Sequence, residues 1–117
     1  MSNALKISLE LDPTGTSFHG TTIAVPAAKF AKFMGKECTT DLCKISSEWF
    51  CEFDGDVFCV YDWKLTSMYH PSLPNDDEMW SSNQVIELHI ASKTSLDREF
   101  KFKQELLRLF NSAEKAS

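Results

Sequence analysis

Hydrophobic and polar positions alternate along Leu5–Leu11, with Leu5, Ile7, Leu9 and Leu11 set against Lys6, Ser8 and Glu10. Period two predicts a half-buried strand. Asp12-Pro13-Thr14-Gly15 reads as a turn. Phe18–Val25 then predicts a short second strand or extended segment, with Gly20 marking a bend or bulge. The period changes after Pro26, which suits a first helical turn. Ala27–Met34 reads as a helix with Phe30, Phe33 and Met34 on one side, stopped by Gly35. Residues 36–44 read as a polar loop.

The strongest pattern is ISSEWFCEFDGDVFCVYDWK, residues 45–64. Asp54-Gly55 separates two aromatic and β-branched runs, the signal for a hairpin with a two-residue type I′ turn. A two-residue loop dictates the register: Phe53 faces Asp56, Cys51 faces Phe58, Trp49 faces Val60 and Glu48 faces Tyr61. Alternation sorts these residues into two faces. Ile45, Trp49, Cys51, Phe53, Phe58 and Val60 make a core face. Phe50, Val57, Cys59, Tyr61 and Trp63 share the other with Glu48 and Glu52. That second face is too aromatic for a plain solvated one, so either a helix covers part of it, the simpler expectation, or it is a contact surface. Trp49 should be buried and Glu48 at least partly accessible.

Residues 65–83 hold Pro71, Pro74 and the acidic run Asp76-Asp77-Glu78. They read as a long loop, functional or mobile, in which a helix is not expected and which Tyr69 and Trp80 could pin down. Val85–Ala91 is a further strand, with Ile86, Leu88 and Ile90 facing one way and Glu87 and His89 the other. Thr94 or Ser95 caps a last helix, with Asp97 and Glu99 favourable in its first turn. Leu96, Phe100, Leu107 and Phe110 form its apolar line, widened by Phe102, Leu106 and Leu109, and a frayed tail is expected from about Ser112. The order β-(β)-α-β-β-β-α predicts one α+β domain over residues 1–117: a small antiparallel sheet with two helices packed on it.

Composition narrows the function classes. Among 117 residues the net charge is −5, which opposes direct nucleic-acid binding and anionic membranes and suits a basic partner. The longest apolar run is far shorter than a membrane span, and the N-terminal residues lack a secretory pattern, so a cytoplasmic location is expected. Cys38, Cys43, Cys51 and Cys59 make no Cys-x-x-Cys pair and the histidines are scattered, so no metal or cofactor is expected and the thiols read as reduced. Cys38 and Cys43 could approach each other in a loop; Cys51 and Cys59 point to opposite faces.

If the Val85–Ala91 strand pairs with the hairpin, Glu87 and His89 join Glu48, Phe50, Tyr61 and Trp63 on the second face; Lys64, on the core side by alternation and near its strand's end, could meet a ligand's phosphate. That set could hold a partner or a small ligand by stacking and hydrogen bonds. It could also run acid–base chemistry through Glu48 and His89. Asp62 falls on the core side, while His19 and His70 read as surface loop residues. No Gly-rich phosphate loop, nucleophile elbow or His-Glu-x-x-His motif is present.

A spaced pattern runs through residues 15–92: Gly15-Thr16-Ser17-Phe18-His19-Gly20, Phe33-Met34-Gly35, Glu48-Trp49, Asp54-Gly55, Tyr61-Asp62-Trp63-Lys64 and Leu88-His89-Ile90-Ala91-Ser92. It resembles a group of short tailed-bacteriophage proteins with no assigned activity. Their pattern reads Gly-Thr-x-Leu-Gln-Gly, Phe-Gly, Glu-Trp, Tyr-Asp-Trp/Tyr-Lys and Trp-His-Ile-Gly-Gly. Phe18-His19 here replaces Leu-Gln, Met34 intrudes before Gly35, and Leu88 and Ala91-Ser92 replace Trp and Gly-Gly. The resemblance implies a phage or mobile-element accessory protein working in the host cytosol. It supplies no catalytic residues. Size, acidity and the absence of a catalytic motif then favour a non-enzymatic protein that binds and inhibits a host macromolecule, such as a defence component. A small-molecule or nucleotide sponge is the alternative, an acid–base enzyme is the third reading, and a homodimer is compatible with all three.

Overall fold

A computed structural model describes residues 5–8, 10–12, 14–35, 48–63, 71–73 and 76–116. Its elements are β1 (Lys6–Ile7), β2 (Ser17–Pro26), α1 (Ala27–Met34), β3 (Glu48–Phe53), β4 (Asp56–Tyr61), α2 (Asp76–Ser81), β5 (Val85–Ser92) and α3 (Leu96–Ala116). The strands form one five-stranded sheet in the order β1-β3-β4-β5-β2, with every neighbouring pair antiparallel. The expected α+β class holds, with a third helix added.

The β3–β4 hairpin sets the centre. Asp54 and Gly55 both have positive φ, 54° and 84°, as a type I′ turn requires. The register is the one the two-residue loop dictates, from Phe53↔Asp56 to Glu48↔Tyr61. Trp49, Cys51, Phe58 and Val60 therefore enter the main core with Ile23, Val25, Ile86, Leu88 and Ile90.

All three helices contribute side chains to that core. Phe30 of α1 meets Trp49 and Phe110 edge-on, at centroid distances of 5.7 and 5.5 Å. Phe102 of α3 stacks on Phe58 at 4.1 Å and 2°. Pro26 stands as the cap of α1 rather than inside it and supplies no side-chain hydrogen bond. The carbonyls of Gln84 and Ser82 accept from Ala27 and Ala28 instead, and Asn83 Oδ1 accepts from Lys29 N. Gly35 ends α1 at φ 87°.

Four expectations are corrected. The helix α2 lies inside the stretch read as loop 65–83. Prolines bar a helix only up to Pro74, and carboxylates after it suit a helix start. Met79 is buried and Trp80 packs edge-on against Trp49 at 5.4 Å. The strand β1 is two residues long rather than seven, and Leu11 turns away onto the sheet's other side. The buried line of α3 is Glu99, Phe102, Leu106 and Phe110, while Leu96 and Phe100 are exposed. Finally, α3 continues through Ala116, because Ala113, Glu114 and Lys115 are good helix formers. The segment 36–47, including Cys38, Cys43 and Ile45, lies outside the described residues, as do Lys64, Tyr69 and His70.

Candidate functional site

The second side of the sheet is built in rows that cross the strands. One row runs Phe50, Cys59, Ala91, Phe18; the next runs Glu48, Tyr61, His89, Thr22. Glu87 stands opposite Ala24 in the row beyond. The structure thus gathers Glu48, Phe50, Tyr61, Trp63, Glu87 and His89 on one face, as pairing of β5 with the hairpin requires. Lys64 lies outside the described residues.

Their exposure divides them. Phe50, Cys59, Tyr61 and Ala91 form a second hydrophobic cluster against which Leu11 and Trp63 pack. The described cover of this cluster is therefore the chain between β1 and β2 and the residue two past β4, not the helix that was the simpler expectation. Thr16 also reaches it, with its hydroxyl 3.6 Å from Cys59 Sγ. Glu48 is only 8% exposed, which corrects the expectation of an accessible carboxylate. Trp63 and His89 are half-buried, and Glu87 is exposed.

Phe18, which the sequence placed only in a strand, is the aromatic residue missed. It is 42% exposed and stacks on His89 at 4.0 Å and 9°. Trp63 stacks on the same imidazole at 6.2 Å and 21°. Tyr61 meets both His89 and Trp63 edge-on, at 5.5 and 6.3 Å. The result is an aromatic stripe across β2, β5 and the end of β4, with exposed Phe18 at one end.

Burial tunes the groups in this face. It holds His89 below its ordinary value of 6.5, against an opposing pull from Glu87. It pushes the Tyr61 hydroxyl up to about 12, helped by Cys59 and Glu48. The Cys59 thiol is pushed up to about 11 by burial, with Thr16 opposing and Glu48 adding.

The row order bears on catalysis. Tyr61 stands between Glu48 and His89, and two strand spacings put their backbones about 10 Å apart. Glu48 and His89 thus form no adjacent acid–base pair. Among the described residues a carboxylate–imidazole pair forms elsewhere: His19 Nδ1 lies 2.7 Å from Glu99 Oε2 on the helix side of the sheet. Among the described residues, no group of three or more His, Cys, Asp or Glu side chains could hold a metal ion. No described helix is long and apolar enough to cross a membrane. Among the described residues, hollows away from the stripe include one at the hairpin tip beside Gly55, Asp56 and Lys93 and one between α1 and α3 beside Lys29, Phe33 and Glu114.

Comparison with family models and with curated proteins finds no match for this chain.

Proposed function

We propose that this chain is a small, non-enzymatic accessory protein of the tailed-phage kind. In this reading it binds a basic macromolecule of the host, such as a defence protein, through the aromatic stripe and blocks it. The observation that carries the reading is the stack of Phe18, His89 and Trp63 on the sheet face whose described cluster holds no helix residue. Stacked rings whose outermost member is exposed offer a rigid aromatic surface, the kind that dominates docking energetics.

Charge selects the partner's chemistry. Exposed Glu87 stands two residues from His89 on β5, and the chain's net charge is −5. An arginine-rich surface can meet both features, since guanidinium groups pair with carboxylates and stack on aromatic rings. A host protein that itself holds nucleic acid presents such a surface.

The test is purification from the host with wild-type protein and with the Phe18→Ala and Glu87→Lys variants. A basic host protein should co-purify, and each variant should weaken its binding by roughly tenfold. Affinity should fall as salt rises. A bound small molecule in place of a protein, or an affinity indifferent to salt and to both substitutions, would overturn the reading.

A further inference from the structure

The strand β2 breaks register between Phe18 and Thr22, and the break has an even count. Phe18 faces Ala91 and Thr22 faces His89, so His19, Gly20 and Thr21 together lie opposite the single residue Ile90. An excess of two residues leaves Phe18 and Thr22 on the same side of the sheet. Gly20 supplies the bend, at φ 101°.

On the helix side, the two residues flanking Gly20 converge on one carboxylate. Thr21 donates its hydroxyl to Glu99 Oε1 at 2.6 Å, and His19 Nδ1 lies 2.7 Å from Glu99 Oε2. Ser92, which follows Phe18's partner Ala91, donates its hydroxyl to the same Oε2. Glu99 is fully buried, at 0% exposure. A carboxylate taken from water is tolerated only when its oxygens are bonded. Here the bonding groups are supplied by the two strands that carry the Phe18–Ala91 pair.

The alternative to this bulge is specific. If β2 kept the register of Thr22–Pro26 throughout, Gly20 would face Ala91, His19 would face Ser92, and Phe18 would lie past the end of β5. A slip of one residue would turn every side chain over, but a slip of two preserves both faces. Such a slip is therefore the inexpensive competitor, and it moves Phe18 about 6.6 Å along β5, off His89.

We infer that Glu99 is a positioning residue for the aromatic stripe. Through His19, the contact that moves along β5 with Phe18 in a slip, it holds the bulge in the register that stacks Phe18 on His89, while Thr21 and Ser92 fix the carboxylate; loss of the His19 contact lets β2 slip by two and dismantles the stripe. This regulates the docking face and rests on the reading of that face as the working surface.

Ring-to-ring NMR contacts test the clamp without any ligand. In His19→Ala, the Phe18–His89 ring contacts should disappear and contacts between Gly20 and Ala91 should replace them, while Trp49 and Phe102 keep their wild-type shifts. His19→Asn, whose amide nitrogen can take the place of Nδ1, should retain the wild-type contacts. Persistence of the Phe18–His89 contacts in His19→Ala overturns the inference, as does identical behaviour of the alanine and asparagine variants. Global loss of dispersion in His19→Ala also overturns it, because the cluster would then support the core rather than set a register. A wild-type protein that shows the stack but binds no basic host protein would sink the docking reading alone and leave the clamp standing.

Discussion

Trp49 and Phe50 are consecutive in the chain and both buried, yet they belong to different hydrophobic clusters on opposite sides of the sheet. The main cluster takes Trp49 among side chains from all three helices, and its indole N–H donates to the Gly35 carbonyl at 3.3 Å. The second cluster takes Phe50 with Cys59, Tyr61 and Ala91. Trp49→Ala should therefore cost about 3–5 kcal/mol, because the surrounding helices cannot collapse into the cavity. Phe50→Ala should cost about 3 kcal/mol or less, since Leu11 and Trp63 can settle inward. Urea melts of both variants check the order, and a reversal would make the second cluster the dominant one.

At the hairpin tip the strain argument stands alone. An added Cβ on Gly55 would meet nothing within 4 Å, but the residue sits at φ 84°. Gly55→Val should lose about 1–2 kcal/mol through backbone strain, with no packing defect. Gly55→Asn should lose less, since asparagine tolerates that region. Equal losses in denaturant melts would point to something other than φ.

The hairpin was legible because Asp54-Gly55 specifies both the turn and the register, and register decides which residues share a face. The rows joining Tyr61 to His89 followed once β5 was placed beside β4. The bulge was only half legible. Gly20 signalled an irregularity, but a two-residue excess leaves the alternation of faces intact, so nothing in the pattern aimed His19 at a helix. Glu99 stands in the first turn of α3 as expected, but its burial was not legible: an acid there ordinarily complements the macrodipole in solvent, whereas here the buried line of α3 passes through it. Alternation also says which face a residue occupies and not what lies over it, which is why Glu48 was expected to be accessible.

The thiols of Cys51 and Cys59 should be inert in the native protein. Both are buried; burial raises both, and Cys59 is pushed up to about 11. In a Cys38→Ser, Cys43→Ser background, a disulfide reagent at pH 8 should leave them unmodified until denaturant is added. Rapid reaction of one thiol under native conditions would show that its side of the sheet opens.

His89 should make the fold sensitive to acid. Burial between Phe18 and Trp63 lowers its folded value below the ordinary 6.5, and Glu87 offsets only part of that. The unfolded chain therefore binds the proton first as pH falls. Stability contributed by neutral His89 is complete above about 6.5 and is lost progressively below it, until the folded state also protonates. Since Phe18 and Trp63 flank the imidazole, the same titration should disturb the stripe. Denaturant melts of wild type and His89→Gln between neutral and mildly acidic pH isolate this share, because the two proteins differ at no other group. The wild-type advantage should shrink as pH falls below 6.5. A difference that grows on acidification would mean that the stack favours the charged imidazole, with ring faces stabilising the cation instead of burial opposing it.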